Sequence, residues 1–234
     1  MSVLYLIPTP ISGNAFKDVF SKQVIDVIHS LQQFIVEDIR TARRFLSKVA
    51  HPEKIESLKF QELNEHTGET EFSSLLPYIL AANTGVISEA GVPCVADPGA
   101  QIVRLAHANS ISVIPLIGPS SILMALMASG LNGQSFSFVG YLPVKKNERM
   151  ERLRVLERRS ISEKQTQIFI ETPYRNMQLL DDIINSCRRD TLLTIASGIT
   201  SKDEYILTQT IQQWKMKLPF LNKIPTVFLL QANF

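Results

Sequence analysis

Short, uninterrupted apolar runs alternate along this chain with segments whose apolar residues recur every three or four positions. That alternation predicts strands and helices in turn. Val3 to Ile7 is a continuous apolar run stopped by Pro8-Thr9-Pro10, the pattern of a strand buried on both faces of a parallel sheet. Phe16, Val19, Phe20, Val24, Val27, Ile28 and Leu31 then follow at helical spacing. Phe34 to Val36 reads as a second strand, Thr41 to Lys48 as a helix and Leu58 to Leu63 as a third strand. Glu71 to Ala82 has helical character with Pro77 inside it, where a kink or break is expected. Strands at Thr84 to Ile87 and Ile111 to Leu116, with a helix through Ile102, Val103, Leu105 and Ala106 between them, complete a five-stranded β/α half.

The pattern restarts after a small apolar helix, Pro119 to Gly130, and the loop Asn132-Gly133-Gln134. Alternation at Phe136, Phe138 and Gly140 predicts a strand, and Asn147 to Arg159 a charged helix. Strands follow at Gln167 to Ile170 and Leu192 to Ala196, with a helix from Tyr174 to Cys187 between them. Glu204 to Leu207 and Thr226 to Gln231 flank a short helical piece around Trp214. Strands that crowd together late in the chain predict a mixed sheet. The expected fold class is therefore two α/β domains, residues 1–117 with a mostly parallel five-stranded sheet and residues 118–234 with a mixed one, and a ligand cleft between them.

Gly85 to Ser121 holds the densest punctuation: a strand, Gly and Pro turns, a helix, another strand and the turn Gly118-Pro119-Ser120-Ser121. Parallel sheets present backbone groups to ligands at such turns. Composition narrows the ligand only a little. A net charge of +2 carries no argument for nucleic acid, so any such surface must come from clustering. Cys94 and Cys187 make no disulfide framework, which fits a reducing compartment; Cys94 reads as a small buried residue rather than a nucleophile. The start of the chain has no basic n-region and no membrane span, so a cytoplasmic protein is expected. There is no GxGxxG and no GxxxxGK[ST], the four histidines are scattered, and no GxSxG surrounds Ser120 and Ser121. The turns suit a ligand held by backbone groups and apolar contacts.

Six stretches give this ligand a candidate identity. SEAGVPCVADPG resembles the SDAGxPxxSDPG signature of the tetrapyrrole methylase superfamily of S-adenosyl-L-methionine-dependent methyltransferases. The likeness is closest to the branch that 2′-O-methylates a cytidine of small-subunit ribosomal RNA. PTPISGN is similar to that family's PTPIGN, EDIR to EDTR, GPSSILMALMASGL to GPxxAxxALxxSGL, FSFVGYLPVKKNER to FxxxGFLPxKxxxR and IFIETPYR to IFYESPHR. The chain departs from the family in one extra residue in PTPISGN, Ile39 for Thr, Glu89 for Asp, and a lost Arg-Glu pair in Ala196 to Lys202.

The resemblance implies a cofactor, S-adenosyl-L-methionine, lying between the domains and touched by Ile11, Gly91, Val92, Val95, Ser120, Ser121, Glu171 and Gly198. It implies a homodimer, with ribosomal RNA or the small ribosomal subunit as substrate and no membrane. Methyl transfer to a ribose hydroxyl profits from a base, for which Glu37, Asp38 and Glu89 are the candidates. Arg40, Lys145, Arg149, Arg152 and Arg175 are candidate substrate contacts within two basic clusters, Arg40 to Lys48 and Lys145 to Arg159. The plain alternatives are a solvated helix face for the basic residues, a helix cap for the Glu37-Asp38 pair and a turn-forming role for Asp97. Trp214 reads as core or dimer contact, and Met124 and Met127 as core filling. A small-molecule (tetrapyrrole-like) methyltransferase and a non-catalytic cofactor- or RNA-binding paralogue are the other functional readings.

Overall fold

The computed structural model describes residues 2–12, 19–64 and 67–232. Phe16, the Gly13-Asn14 end of the first turn and the Glu65-His66 pair lie outside the described residues. The chain divides into two compact units, Met1–Ser120 and Ser121–Phe234.

The first unit runs β1 (Val3–Ile7), α1 (Lys22–Ser30), β2 (Gln33–Val36), α2 (Ile39–Lys48), a 3-10 turn (Ile55–Ser57), β3 (Lys59–Glu62), α3 (Glu69–Ala81), β4 (Thr84–Ile87), α4 (Ala100–Ala108) and β5 (Ser112–Pro115). The strand order is β3-β2-β4-β1-β5, and every pairing is parallel. The central strands β2 and β4 are buried along their whole length, which is why they read as unbroken apolar text. The edge strands β3 and β5 are largely exposed; β3 is correspondingly polar, whereas β5 keeps Val113 and Ile114.

Successive residues of the central strands point to opposite faces and so build two separate cores. Ile7, Phe34 and Val36 pack with Val24, Ile28, Phe45 and Leu46 of α1 and α2. Leu4 and Ile35 pack on the other face with Leu75, Ile79, Ile102 and Ala106 of α3 and α4. Of the kink or break expected at Pro77, the break does not occur: the helix runs through it from Glu69 to Ala81. Leu75 and Ile79, both 1% exposed, anchor the helix on either side of the proline, so packing outweighs the lost hydrogen bond.

The second unit comprises α5 (Ser121–Ser129), β6 (Phe136–Tyr141), α6 (Lys146–Glu163), β7 (Thr166–Ile170), α7 (Asn176–Ser186), β8 (Leu192–Ser197), β9 (Tyr205–Thr210), α8 (Ile211–Trp214) and β10 (Thr226–Gln231). Its sheet order is β6-β7-β10-β8-β9. Only β6 and β7 pair in parallel; the other pairings are antiparallel, which makes the sheet mixed. Trp214 is a core residue: it is fully buried, and its indole N–H donates to the Leu193 carbonyl at 2.9 Å. Met127 corrects the expectation of core filling, because it is 82% exposed on α5. Among the described residues, no helix is long and apolar enough to cross a membrane.

Candidate functional site

Parallel sheets expose their ligand-binding loops at the carboxyl ends of the strands. In the first unit those ends carry Pro8 to Ile11 after β1, Glu37-Asp38 after β2, Ser88 to Gly99 after β4 and Leu116 to Ser120 after β5. Three of these loops are tied together by backbone. Thr9 and Gly91 form an antiparallel bridge, with N–H to carbonyl distances of 2.8 and 3.2 Å. Gly118 lies so close to Pro8 that a Cβ there would sit 2.1 Å from the proline ring carbon. Gly91 adopts φ +76°, and a Cβ on it would approach the Pro119 carbonyl to 3.2 Å and Ile11 to 3.8 Å. Ile11, Gly91 and the segment leading to Ser120, assigned to the cofactor by resemblance alone, are therefore brought together.

The loop after Gly91 is held in a costly conformation. Cys94 and Ala96 both adopt positive φ, 68° and 66°, although neither is glycine. Asp97 stabilises the turn. Its carboxylate accepts the Cys94 N–H at 2.8 Å and the Gly99 N–H at 2.8 Å, the turn-forming role weighed above. Burial nevertheless raises the Asp97 carboxyl above its ordinary value, with those backbone hydrogen bonds opposing the shift. The Cys94 thiol is pushed up to about 12 by burial and then by Asp97, so it carries almost no thiolate at neutral pH. Val92 is half-buried, while Val95 is 46% exposed and presents an apolar side chain at the loop tip.

The three candidate bases gather at the ends of β2 and β4 but differ in their commitments. Asp38 caps α2, accepting from the Thr41 N–H at 2.7 Å and its hydroxyl at 2.8 Å, and these bonds lower its pKa. Glu37 is raised, first by burial and then by the charges of Asp97 and Glu89, although its carboxylate accepts the Glu89 N–H at 3.3 Å. Glu89 is also raised, by burial and then by the nearby Asp38 charge, with a hydrogen bond from Thr41 opposing. Asp38 and Glu89 line a cavity of about 300 Å³ whose walls include Thr9, Pro10, Ile11, Thr41, Phe45 and Ser88.

In the second unit, Ser121 is the first residue of α5, and Glu171 follows β7. The Glu171 carboxylate is buried, accepts the Arg175 guanidinium at 2.6 Å and the Thr172 N–H at 2.7 Å, and keeps its second oxygen without a partner among the described residues. Arg175 is thus engaged with Glu171 rather than displayed alone. Gly198, at φ +58°, sits in a turn after β8 where a Cβ would meet the Ser201 hydroxyl at 2.9 Å.

Arg149 requires a correction. It is 1% exposed, donates to Asp182 at 2.7 Å and to the Pro143 and Val144 carbonyls, and so is a structural staple rather than a substrate contact. Much of the remaining basic helix is neutralised locally. Arg154 and Arg158 pair with Glu151, Arg159 with Glu163 and Lys145 with Glu148, all in exposed geometry. Arg152 forms no ion pair among the described residues, and Arg40 is exposed in the first turn of α2.

Thr41 and Ser88 are cavity residues that sequence reasoning did not single out as site members, and Arg44 entered it only through the basic cluster Arg40 to Lys48. Thr41, Arg44, Phe45 and Lys48 follow i, i+3, i+4 and i+7 spacing on α2, so their common face was legible in principle.

This architecture occurs in a known methyltransferase. The crystal structure of the methyltransferase CobJ matches with a TM-score of 0.64, covering 99% of this chain and 95% of that one at 14% sequence identity, a likeness of fold. Sequence relatives are more specific. The ribosomal RNA small subunit methyltransferase I of Vibrio cholerae is 34% identical over 205 residues, 87% of this chain and 67% of that protein. Its namesake from Bacillus subtilis is 32% identical over 214 residues, 91% of this chain and 69% of that protein. No protein-family model matches the chain. Fold and sequence together place the chain in the methyltransferase class. Within it, the chain belongs to the ribosomal RNA small subunit methyltransferase I family and spans about two thirds of the length of these two relatives.

Proposed function

We propose that this chain transfers a methyl group from S-adenosyl-L-methionine to a ribose 2′-hydroxyl of small-subunit ribosomal RNA. The observation that carries the reading is the convergence of Ile11, Gly91 and the Pro119 carbonyl within a few ångströms of one another, beside carboxylates with raised pKa. At Gly91 the positive φ and the Pro119 carbonyl, 3.2 Å from where a Cβ would stand, favour a residue without a side chain, so the loop presents backbone there to a ligand. The apolar Ile11 and Val92 suit a flat molecule without phosphates. When bound, the cofactor supplies an electrophilic methyl carbon on a sulfonium.

The protein's own work is to hold the acceptor in line and to remove its proton. We assign that proton to Glu89. Asp38 is committed to capping α2, and Glu37 to the Glu89 backbone. The Glu89 carboxylate would take the hydroxyl proton as the acceptor oxygen is methylated. Arg40, Lys145 and Arg152 contact the RNA, and the protein acts as a homodimer in the cytoplasm, where ribosomal subunits are assembled.

Transfer of labelled methyl groups to small subunits lacking this modification tests the reading, with the 2′-O-methyl mapped by its resistance to alkaline cleavage. Unlabelled subunits alongside labelled small molecules from an extract would replace the RNA assignment with the small-molecule one. Cofactor binding without transfer to either would point to a non-catalytic paralogue. Sedimentation across a concentration series checks the dimer. Gly91→Ala is expected to weaken S-adenosyl-L-methionine binding about tenfold, equivalent to about 1.4 kcal/mol, by calorimetry. Unchanged affinity would separate Gly91 from the cofactor.

A further inference from the structure

We propose that the cavity between the ends of β1 and β4 and one face of α2 receives a single nucleotide turned out of the RNA stack, its phosphate on Arg44 and its sugar and base against Phe45 and Ser88. The inference rests on the RNA reading above and names the element that would present the acceptor ribose to Glu89. At about 300 Å³ the cavity lies at the small end of ligand sites and suits one nucleoside, not a stacked pair. Its walls are apolar at Pro10, Ile11, Ala42, Phe45 and Ile87, as a base or sugar face requires.

The polar groups are arranged by kind. Asp38 and Glu89 offer acceptors at the start of α2 and the end of β4. Arg44 lies six residues further along the helix than Asp38, which at helical rise is about 9 Å, the reach of one nucleotide from phosphate to base edge. It is exposed and forms no ion pair among the described residues. A planar guanidinium in that state is suited to a phosphate. Between the two ends, Ser88 is 6% exposed, and its hydroxyl is buried with no hydrogen-bond partner among the described residues. Buried polar groups are nearly always satisfied, so this hydroxyl marks a place that a ligand completes. A cavity of about 300 Å³ has room for one nucleotide and not for its stacked neighbours, so the nucleotide must leave the helix first.

The test is titration of the full chain with a pyrimidine nucleoside 5′-monophosphate, the parent nucleoside and inorganic phosphate, followed by nuclear magnetic resonance. Arg44→Ala is expected to weaken the monophosphate about tenfold and leave the nucleoside unchanged. Ser88→Ala is expected to weaken both about fivefold without lowering the unfolding midpoint, since the hydroxyl has no partner to lose. Saturating S-adenosylhomocysteine should leave the nucleotide bound. Competitive displacement would give the cavity to the cofactor's own nucleoside, and equal affinity for inorganic phosphate would reduce it to a surface cation; either overturns the proposal, as does no saturable binding. The failures are separable from those of the functional reading. Methyl transfer to small subunits with an unchanged RNA KM in both variants sinks the cavity alone; nucleotide binding without transfer sinks the RNA methylation alone.

Discussion

Asp182→Ala is expected to destabilise the second unit by about 3–5 kcal/mol, because it strands a buried guanidinium. Arg149 and Asp182 each expose only 1% of their side chains, and the ion pair joins the start of α6 to the middle of α7. The same guanidinium donates to the Pro143 and Val144 carbonyls at 3.2 and 2.6 Å, so it also fixes the segment entering α6. Losing the carboxylate leaves a desolvated charge whose remaining partners are neutral dipoles. Urea unfolding followed at Trp214, which lies in the core of that unit, should show the midpoint falling by 1 M or more at a slope of about 1–3 kcal/mol/M. The exposed Arg159–Glu163 pair provides the contrast: Glu163→Ala should cost no more than about 0.5 kcal/mol. Replacing both buried partners together, Arg149→Met with Asp182→Leu, should recover most of the loss, since the penalty lies in the orphaned charge. A shift below about 1 kcal/mol for Asp182→Ala would mean that water reaches the pair.

That pair also shows where reading the sequence stops. Arg149 belongs to a visibly basic stretch, and charge counting places it with its neighbours on a solvent-facing surface. What removes it is a partner 33 positions later, on a helix whose packing only the fold reveals. Pro77 is a similar case: local propensity argues for a break, and the anchoring of Leu75 and Ile79 overrides it. The central strands were legible for the opposite reason. Burial on both faces leaves no room for polar residues, so β2 and β4 appear as plain apolar runs. The edge strand β3 lacks that signal because solvent tolerates polar residues there, whereas β5 keeps Val113 and Ile114 although it is largely exposed. At the site, glycine and proline marked the turns, and the strand-end carboxylates followed from topology. The Ser88 hydroxyl, without a partner among the described residues, was invisible, since satisfaction is a property of the folded surroundings.

Glu89→Gln is expected to lower kcat for methyl transfer by about 10²–10⁴-fold, the range for removing a positioned general base. Cofactor affinity should change little, because the substitution keeps the shape and removes only the ability to take a proton. The pH dependence gives the prediction its sign. Burial and the Asp38 charge raise the Glu89 pKa above the ordinary glutamate value of 4.5. A base must be unprotonated to act, so kcat/KM should rise with pH through that raised pKa and level off above it. The rising limb should vanish in Glu89→Gln. Asp38→Asn is the informative companion. Removing the Asp38 charge lets Glu89 ionise more easily, so the limb should move to lower pH, at the cost of a weaker cap on α2. The Glu37 charge has no such place among the groups that shift Glu89, whereas Glu89 is one of those that raise Glu37. A limb that survives Glu89→Gln but disappears in Glu37→Gln would transfer the proton to Glu37 and leave Glu89 as the residue that holds its neighbour's pKa up.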